Sequence, residues 1–175
     1  MDKTVIALGL MSGTSMDGID ASLVRSDGEK FIDIIGNLYI KYDSELKNNI
    51  FEFSKKIKSI DDLKSNFEDY NSLERKITIK HSEIAQKISK KFNTKINIIG
   101  FHGQTILHKP KENYSIQMGN GKLLSQLLNT DVVYQFRKKD LINGGEGAPL
   151  TPIYHHNLKK KLKINKPTIF LNIGG

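Results

Sequence analysis

The sequence contains no cysteine among its 175 residues. Disulfide bonds, thiolate metal sites and a cysteine nucleophile are therefore excluded, and the protein suits a reducing compartment such as the cytoplasm. No apolar run approaches the roughly 20 residues that a membrane-spanning helix needs. The run at 5–11 begins like a signal peptide, but it is short, lacks a cleavage site, and is followed by Asp17 and Asp20. We expect a cytoplasmic protein with no membrane partner.

Aromatic residues make up only 8% of the chain and do not interleave with its basic clusters. Lysine and arginine number 27 against 19 acidic residues, which gives a net charge of +8. The basic residues are scattered apart from short clusters at 138–139 and 159–161, so the chain lacks a base-stacking surface, and we expect no nucleic acid partner. Hydrophobic residues, 38% of the total, are spread throughout, which is typical of one folded domain.

Hydrophobic periodicity predicts an α/β fold. The continuous apolar run at 4–10 predicts a central strand covered on both faces. Alternation at 19–24 predicts a second strand, and a third between 30 and 42 completes an antiparallel meander. Ser44 is expected to cap a helix that includes Ile57, and a longer helix runs from Asp61 or Asp62 to residue 93 with a bend near Thr78.

The second half of the chain continues this alternation of strands and helices. The remaining predicted elements are a buried strand at 96–101, a ribbon of 106–108 with 114–118, a helix capped by Asn120 through Leu128, a strand at 131–136, a glycine-rich loop at 137–150, a helix opened by Thr151 and Pro152, and a strand at 168–173 ending at Gly174 and Gly175. The stretch 159–166 is the best candidate for a domain boundary.

The first motif is the short turn at residues 11–18, Met-Ser-Gly-Thr-Ser-Met-Asp-Gly. Its two glycines, three hydroxyl groups and successive amides can cradle phosphate oxygens, and Asp17 can hold a cation. The turn is not a Walker loop, because Gly-Lys-Ser/Thr is missing and a strand follows where that motif needs a helix. From these residues alone, an ordinary hairpin turn fits equally well.

The second motif, residues 100–105, lies at the end of a predicted buried strand, where open α/β sheets place ligands. Gln104 and Thr105 can hydrogen-bond hydroxyl groups such as those of a sugar. A lone histidine in such a position is more often structural than catalytic, and we interpret His102 in this way. The adjacent His155 and His156 cannot share one helix face, and no metal-ligand spacing emerges.

The third motif covers residues 136–150. Arg137 can bind a carboxylate or phosphate through two N–H groups, and Asp140 can act as a general base. The alternative is that Arg137 and Asp140 pair with each other and brace the loop, which the sequence does not resolve. Glu146 fits an exposed loop position equally well.

These blocks resemble the anhydro-N-acetylmuramic acid kinase family, a branch of the actin and sugar-kinase superfamily. The match rests on residues 9–20, on 102–105, and on 136–140 with 144–150, and residues 172–175 resemble the start of the family's second nucleotide-binding half. The sequence departs from the family pattern at Gln135, Glu146 and Asn120, where the family has Asp, Gln and Asp.

The resemblance implies a ribonuclease-H-like, actin-like ATPase domain at 1–163, with a mixed sheet flanked by helices, and the truncated start of a second such domain at 164–175. It implies ATP and Mg²⁺ as cofactors, an amino sugar as substrate, and Asp17 as the metal-binding residue. Gln104, Arg137 and Asp140 would face the sugar. The implied nucleotide-binding residues are Gly13, Thr14, Ser15, Met16, Asp17, Gly18, Ile19 and Asp20.

The resemblance also implies a reaction. Asp140 would deprotonate a water that attacks the anomeric carbon of 1,6-anhydro-N-acetylmuramic acid, while the oxygen released from the anhydro bridge takes the γ-phosphoryl group. The product, N-acetylmuramic acid 6-phosphate, feeds cell-wall recycling.

Two hypotheses about the chain follow from the resemblance. In the first, the chain is one part of a complete kinase, inactive until a C-terminal domain is present in cis or in trans, and a homodimer is one option for its assembly. In the second, it is a non-catalytic remnant or a nucleotide- or sugar-binding module of the same fold.

Overall fold

The computed structural model describes residues 4–171, and residues 172–175 of the resemblance lie outside this range. The described part is an α/β fold with a mixed sheet flanked by helices, as the sequence predicts. Its strands are β1 (Val5–Ser12), β2 (Gly18–Ser26), β3 (Ile32–Lys41), β4 (Ile98–Lys109), β5 (Tyr114–Met118) and β6 (Asp131–Tyr134). Its helices are α1 (Ser44–Lys56), α2 (Ile60–Ser65), α3 (Phe67–Lys91), α4 (Gly121–Leu128), α5 (Lys138–Ile142) and α6 (Pro152–Lys161).

One sheet contains all six described strands in the order β3-β2-β1-β4-β5, and β6 pairs with β4. Strands β1, β2 and β3 form the predicted antiparallel meander. Strand β4 runs parallel to β1 and to β6, and its second half pairs with β5 as the predicted ribbon. The three parallel strands therefore point toward the same edge of the sheet, and β4 extends past the ends of β1 and β6. None of the helices described over residues 4–171 is long and apolar enough to cross a membrane.

The hydrophobic core lies on one face of this sheet. Leu8 and Leu10 of β1 are buried in one cluster with residues of α1, α3 and α4, whereas Gly9 and Met11 between and beyond them are exposed. Side chains of a strand point alternately to opposite faces, so burial on one face alone gives this alternation. The strand is central as predicted, but the prediction that both its faces are covered is wrong for the described part of the chain.

Two predictions about the helices need correction. Asp43, not Ser44, caps α1, because its carboxylate accepts the N–H of Leu46. The long predicted helix is divided at Asn66 into α2 and α3, and Ser59 caps the first of them. The Asn66 side chain donates to a carbonyl of the preceding turn, a local bond that competes with helix continuation. Helix α3 then runs through Thr78 without interruption.

The strand boundaries also differ from the prediction. Strand β4 does not end at residue 101 but continues through His102 and Gln104 to Lys109, with irregular pairing on either side of this segment. Strand β6 stops at Tyr134 because Gln135 has φ 60°, which no extended strand can accommodate. The predicted loop at 137–150 contains the short helix α5.

The last predicted elements are confirmed only in part. Helix α6 begins with Pro152 as expected, but the Thr151 side chain makes no capping bond. The described residues of the final predicted strand, 168–171, are not in a strand, and Ile169 is 91% exposed. A strand needs a ladder partner for its backbone, and no described strand pairs with this segment. Gly174 and Gly175 lie outside the described residues.

Candidate functional site

The parallel strands bring two loops to one edge of the sheet. The β1–β2 loop (residues 13–17) follows β1, and the β6–α6 loop (residues 135–151, including α5) follows β6. Strand β4 lies between β1 and β6 and pairs with both. Its residues Gly103 and Gln104 are level with Met11 and Ser12. The first and third sequence motifs are thus neighbours of the second, at the edge where open α/β sheets place ligands.

Three buried polar side chains hold the β1–β2 loop at its base. Ser12 Oγ lies 2.9 Å from the Gly18 carbonyl oxygen and 2.5 Å from Gln104 Oε1. Gln104 Nε2 donates to the Gly13 carbonyl at 2.9 Å, and the Tyr42 hydroxyl donates to Ser12 Oγ at 3.1 Å. All three side chains are at most 3% exposed. Burial raises the pKa of Tyr42 to about 12, so its hydroxyl stays protonated as a donor.

The backbone of the loop is constrained as well. Met16 has φ 54°, a left-handed conformation that is uncommon for a residue with a side chain, and its N–H donates to the Gly13 carbonyl at 3.1 Å. The Met16 side chain packs against the core. A Cβ atom at Gly18 would collide with the Ile40 carbonyl and the Tyr39 ring. Glycine is therefore required at this position, and the loop has a defined shape.

Asp17 presents a carboxylate at the rim of this loop. Ser15 Oγ donates to its Oδ1 at 2.6 Å, and this bond holds the pKa of Asp17 below its usual value. The pKa of nearby Tyr39 is raised by partial burial and by the charges of Asp17 and Asp20. Within residues 4–171, no three His, Asp or Glu side chains come together as a metal cage. One partly exposed carboxylate matches the few protein ligands that Mg²⁺ takes when phosphate oxygens and waters supply the others.

Arg137 is the centre of the β6–α6 loop. Its Nε and Nη2 lie 3.2 and 3.0 Å from His102 Nε2 on β4. Its Nη1 donates to the Gly147 carbonyl at 2.6 Å. Because a guanidinium only donates, His102 Nε2 must accept. Arg137 therefore ties the far part of the loop to the sheet, and burial together with the guanidinium charge lowers the pKa of His102.

Asp140 faces the same loop from α5. The Gly147 N–H donates to Asp140 Oδ2 at 2.7 Å, and the Gly145 N–H donates to the Asp140 carbonyl at 2.9 Å. A Cβ atom at Gly145 would collide with the Asp140 carboxylate. Asp140 is exposed, and Oδ1 accepts no hydrogen bond from the described residues. One carboxylate oxygen is therefore oriented by the backbone while the other remains available.

The geometry resolves the alternative for Arg137 and Asp140. The two side chains form no direct ion pair within the described range, and Gly147 links them through its carbonyl and its N–H. Glu146 between them in the loop is exposed. Gln104 lies beneath the β1–β2 loop with its amide engaged, and Thr105 is partly buried beside it.

Three residues of this network are not among the predicted site residues. Ser12 ends β1 and is one of the three hydroxyl residues of the motif at 11–18, whereas Tyr42 directly follows β3 and carries no motif signal. The sequence favours a structural role for His102 but does not reveal its contact with Arg137, which spans 35 residues of sequence. A cavity of about 320 Å³ opens beside α5, lined among others by Glu74, His102, Tyr114 and Lys138.

Comparison with known proteins identifies the family of the chain. Residues 5–175 match the family described as anhydro-N-acetylmuramic acid kinase. Proteins named anhydro-N-acetylmuramic acid kinase are similar over the whole chain: that of Pelagibacter ubique is 51% identical, that of Agrobacterium fabrum 39% and that of Rhizobium etli 37%. The match covers 47%, 48% and 48% of these relatives, respectively.

In an open α/β sheet, loops that follow neighbouring parallel strands form the usual ligand site, and the glycine loop and the Asp140 carboxylate lie in two such loops. The chain belongs to the anhydro-N-acetylmuramic acid kinase family. It spans about half the length of the curated relatives that it matches.

Proposed function

We propose that the chain supplies the first half of an ATP-dependent kinase that converts 1,6-anhydro-N-acetylmuramic acid to N-acetylmuramic acid 6-phosphate. One observation carries the proposal: the β1–β2 loop and the Arg137–Asp140 segment meet at one edge of the sheet in a member of this family. A reaction that uses ATP fits the cytoplasm, which is the location that we propose.

The β1–β2 loop is assigned to the phosphates of ATP. Phosphoryl transfer depends mainly on positioning and on charge stabilisation, and a loop fixed by buried bonds can supply both through its backbone amides. Asp17 is assigned to Mg²⁺, which when bound neutralises phosphate charge. The full set assigned to the nucleotide is Gly13, Thr14, Ser15, Met16, Asp17, Gly18, Ile19 and Asp20.

Asp140 is assigned as the general base. Its oriented carboxylate removes a proton from water, which attacks the anomeric carbon of the sugar, and the oxygen released from the anhydro bridge takes the γ-phosphoryl group. Arg137 and Gln104 are assigned to the sugar side of the site. Since the amide of Gln104 is engaged by the β1–β2 loop, its contribution is to hold that loop beside the substrate.

The proposal includes a second domain, present in cis or in trans. We place the boundary after residue 163, so that 1–163 form the first ATPase-like domain and 164–175 begin the second. Helix α6 ends at Lys161, and the exposed Ile169 and Leu171 beyond it are suited to burial against further protein. Without that domain the chain should bind nucleotide weakly and turn nothing over.

The test mixes the purified chain with ATP, Mg²⁺ and 1,6-anhydro-N-acetylmuramic acid, alone and with the C-terminal half of the Pelagibacter ubique relative, and follows ADP release and the phosphorylated sugar. Turnover is expected only in the mixture. Asp140→Asn should abolish it, whereas Asp131→Asn, an exposed aspartate at the opposite end of β6, should leave it unchanged.

If the two halves are shown to be folded and associated and the mixture still shows no turnover, the result would instead support a non-catalytic binding module. Near-normal activity of Asp140→Asn would remove Asp140 from its assigned role.

A further inference from the structure

His102 has two hydrogen-bond partners that together fix its chemical state. Its Nδ1 lies 3.0 Å from the Gly103 carbonyl oxygen, which only accepts, so Nδ1 carries the proton. Its Nε2 faces two N–H groups of Arg137, which only donate, so Nε2 offers a lone pair. The neutral Nδ1–H tautomer is the single state of the imidazole that satisfies both partners.

We propose that His102 is a positioning residue of the β6–α6 loop, with its Nε2 lone pair as the anchor of Arg137. Through Arg137 it holds the Gly147 peptide, whose N–H orients the Asp140 carboxylate. The inference deepens the proposed function and rests on it only for the role of Asp140 as the general base. The contact between His102 and Arg137 does not depend on that function.

The anchor has a pH dependence with a definite sign. A proton on Nε2 would point at the guanidinium, so protonation of His102 breaks the contact with Arg137. The charged or titratable groups around it are Arg137 and buried His81, together with those that line the same cavity: Tyr70, Glu74, Tyr114, Tyr134 and Lys138. The pKa of His102 in the folded chain lies below its ordinary value of 6.5, so the unfolded chain binds the proton at a higher pH than the folded chain does. The contact with Arg137 is therefore intact above pH 6.5 and is lost as the pH falls through the pKa of His102 in the folded chain.

Nitrogen-15 NMR of the His102 ring in the unmodified chain tests the tautomer without any substitution. We expect protonated Nδ1 and unprotonated Nε2 at neutral pH, and titration only below the range of exposed histidine. His108→Ala, at an exposed histidine on the same strand, serves to assign the His102 ring signals. An Nε2–H tautomer, or a doubly protonated ring at pH 7, would overturn the proposal.

Substitutions then test the coupling. His102→Ala should raise exchange of the Arg137 Nε–H by about tenfold or more, and should shift the Gly147 amide resonance. His102→Gln, which keeps an acceptor oxygen, should restore part of both effects, and His108→Ala should change neither. An unchanged Gly147 amide in folded His102→Ala would contradict the coupling.

In the two-half mixture, His102→Ala should lower kcat by about 100-fold, since it misplaces the base, with a smaller rise in KM because Arg137, assigned to the sugar, loses its anchor. His102→Gln should recover part of this loss. Because glutamine does not titrate, the pH dependence of its kcat on the acidic side should differ from that of the unmodified chain. If the mixture shows no turnover at all, the proposed function fails while the NMR result still decides the role of His102.

Discussion

The β1–β2 loop and the β6–α6 loop lie at the same edge of the sheet, but they are held by different means. Buried side chains hold the first, with Ser12 and Gln104 fully enclosed beneath it. Backbone groups of glycine and a partly buried histidine–arginine contact hold the second. Removing a partner from a buried polar group costs more than removing one at the surface. Disrupting the contacts of the first loop should therefore destabilise the whole domain, whereas the second loop can rearrange with little effect on the stability of the domain.

This difference suits the two proposed roles. A cradle for phosphate needs backbone amides fixed before the ligand arrives, because preorganised donors cost no rearrangement during reaction. A general base needs an accessible carboxylate whose orientation is fixed but whose second oxygen is free. Asp140 has this arrangement, with Oδ2 held by Gly147 and the residue exposed.

The largest expected effect comes from removing the brace of the first loop. Gln104→Ala removes one of the two donors to the Gly13 carbonyl, takes away a bond partner of Ser12, and opens a cavity in a fully buried position. We expect the free energy of unfolding to fall by about 2–4 kcal/mol. Chemical denaturation of the chain measures this change.

Gln117→Ala on the adjacent strand β5 is the matched control for this substitution. Gln117 is only partly buried and bonds to Ser115, so its loss should cost about 1 kcal/mol or less. Equal losses for the two variants would mean that the β1–β2 loop is not braced more strongly than its surroundings.

A smaller effect on stability is expected in the second loop, with a larger effect on local geometry. Gly145→Ala introduces a Cβ that collides with the Asp140 carboxylate. We expect a loss of about 1 kcal/mol and a clear shift of the Gly147 amide resonance as its bond to Asp140 breaks. Gly9→Ala, where a Cβ has room, should leave that resonance in place. An unshifted Gly147 amide in Gly145→Ala would mean that the loop yields without moving the carboxylate.

The sequence was a good guide to the fold and a weaker guide to the connections within the site. Apolar runs and alternation identify the strands because burial on a sheet face follows the period of the chain. Asp43 and Asn66 were missed since neighbouring residues compete for the same capping bonds, and local preference does not choose between them. The single buried face of β1 was missed because a continuous apolar run does not reveal which side is covered.

The site residues assigned from the family motifs stay predictions, although the structure brings their loops to one edge. The connections between the loops were not predictable. Gln104 reaches Gly13 across 91 residues of sequence, and Arg137 reaches His102 across 35. Such contacts depend on which strands become neighbours in the sheet, and the pattern within one segment does not reveal its neighbours.

A gain in stability is expected at the start of the second loop. Gln135 has φ 60°, a conformation that costs most side chains energy and that asparagine adopts more readily. Gln135→Asn should therefore raise the free energy of unfolding by about 0.5–1 kcal/mol without changing the first loop. Gln86→Asn, inside α3, is the contrasting substitution and should give no gain, because asparagine is a weaker helix former. A loss of stability in Gln135→Asn would show that the side chain, not the backbone, determines this position.

The smallest expected effect concerns the rim of the first loop. Ser15→Ala removes the hydroxyl that bonds Asp17 Oδ1, so the depressed pKa of Asp17 should rise toward its ordinary value of 3.8. The bond stabilises the ionised folded form, so its contribution is present above the ordinary pKa and disappears as the pH falls through the depressed one. Carbon-13 titration of the carboxyl group measures the shift, with Ser22→Ala, whose hydroxyl contacts Asn37, as the control. Because Asp17 is solvated, the free energy of unfolding should change by about 0.5 kcal/mol or less. A larger loss of unfolding free energy would mean that the Ser15–Asp17 bond is coupled to the buried side chains beneath the β1–β2 loop. The whole of that loop, and not only its base, would then be tied to the stability of the domain.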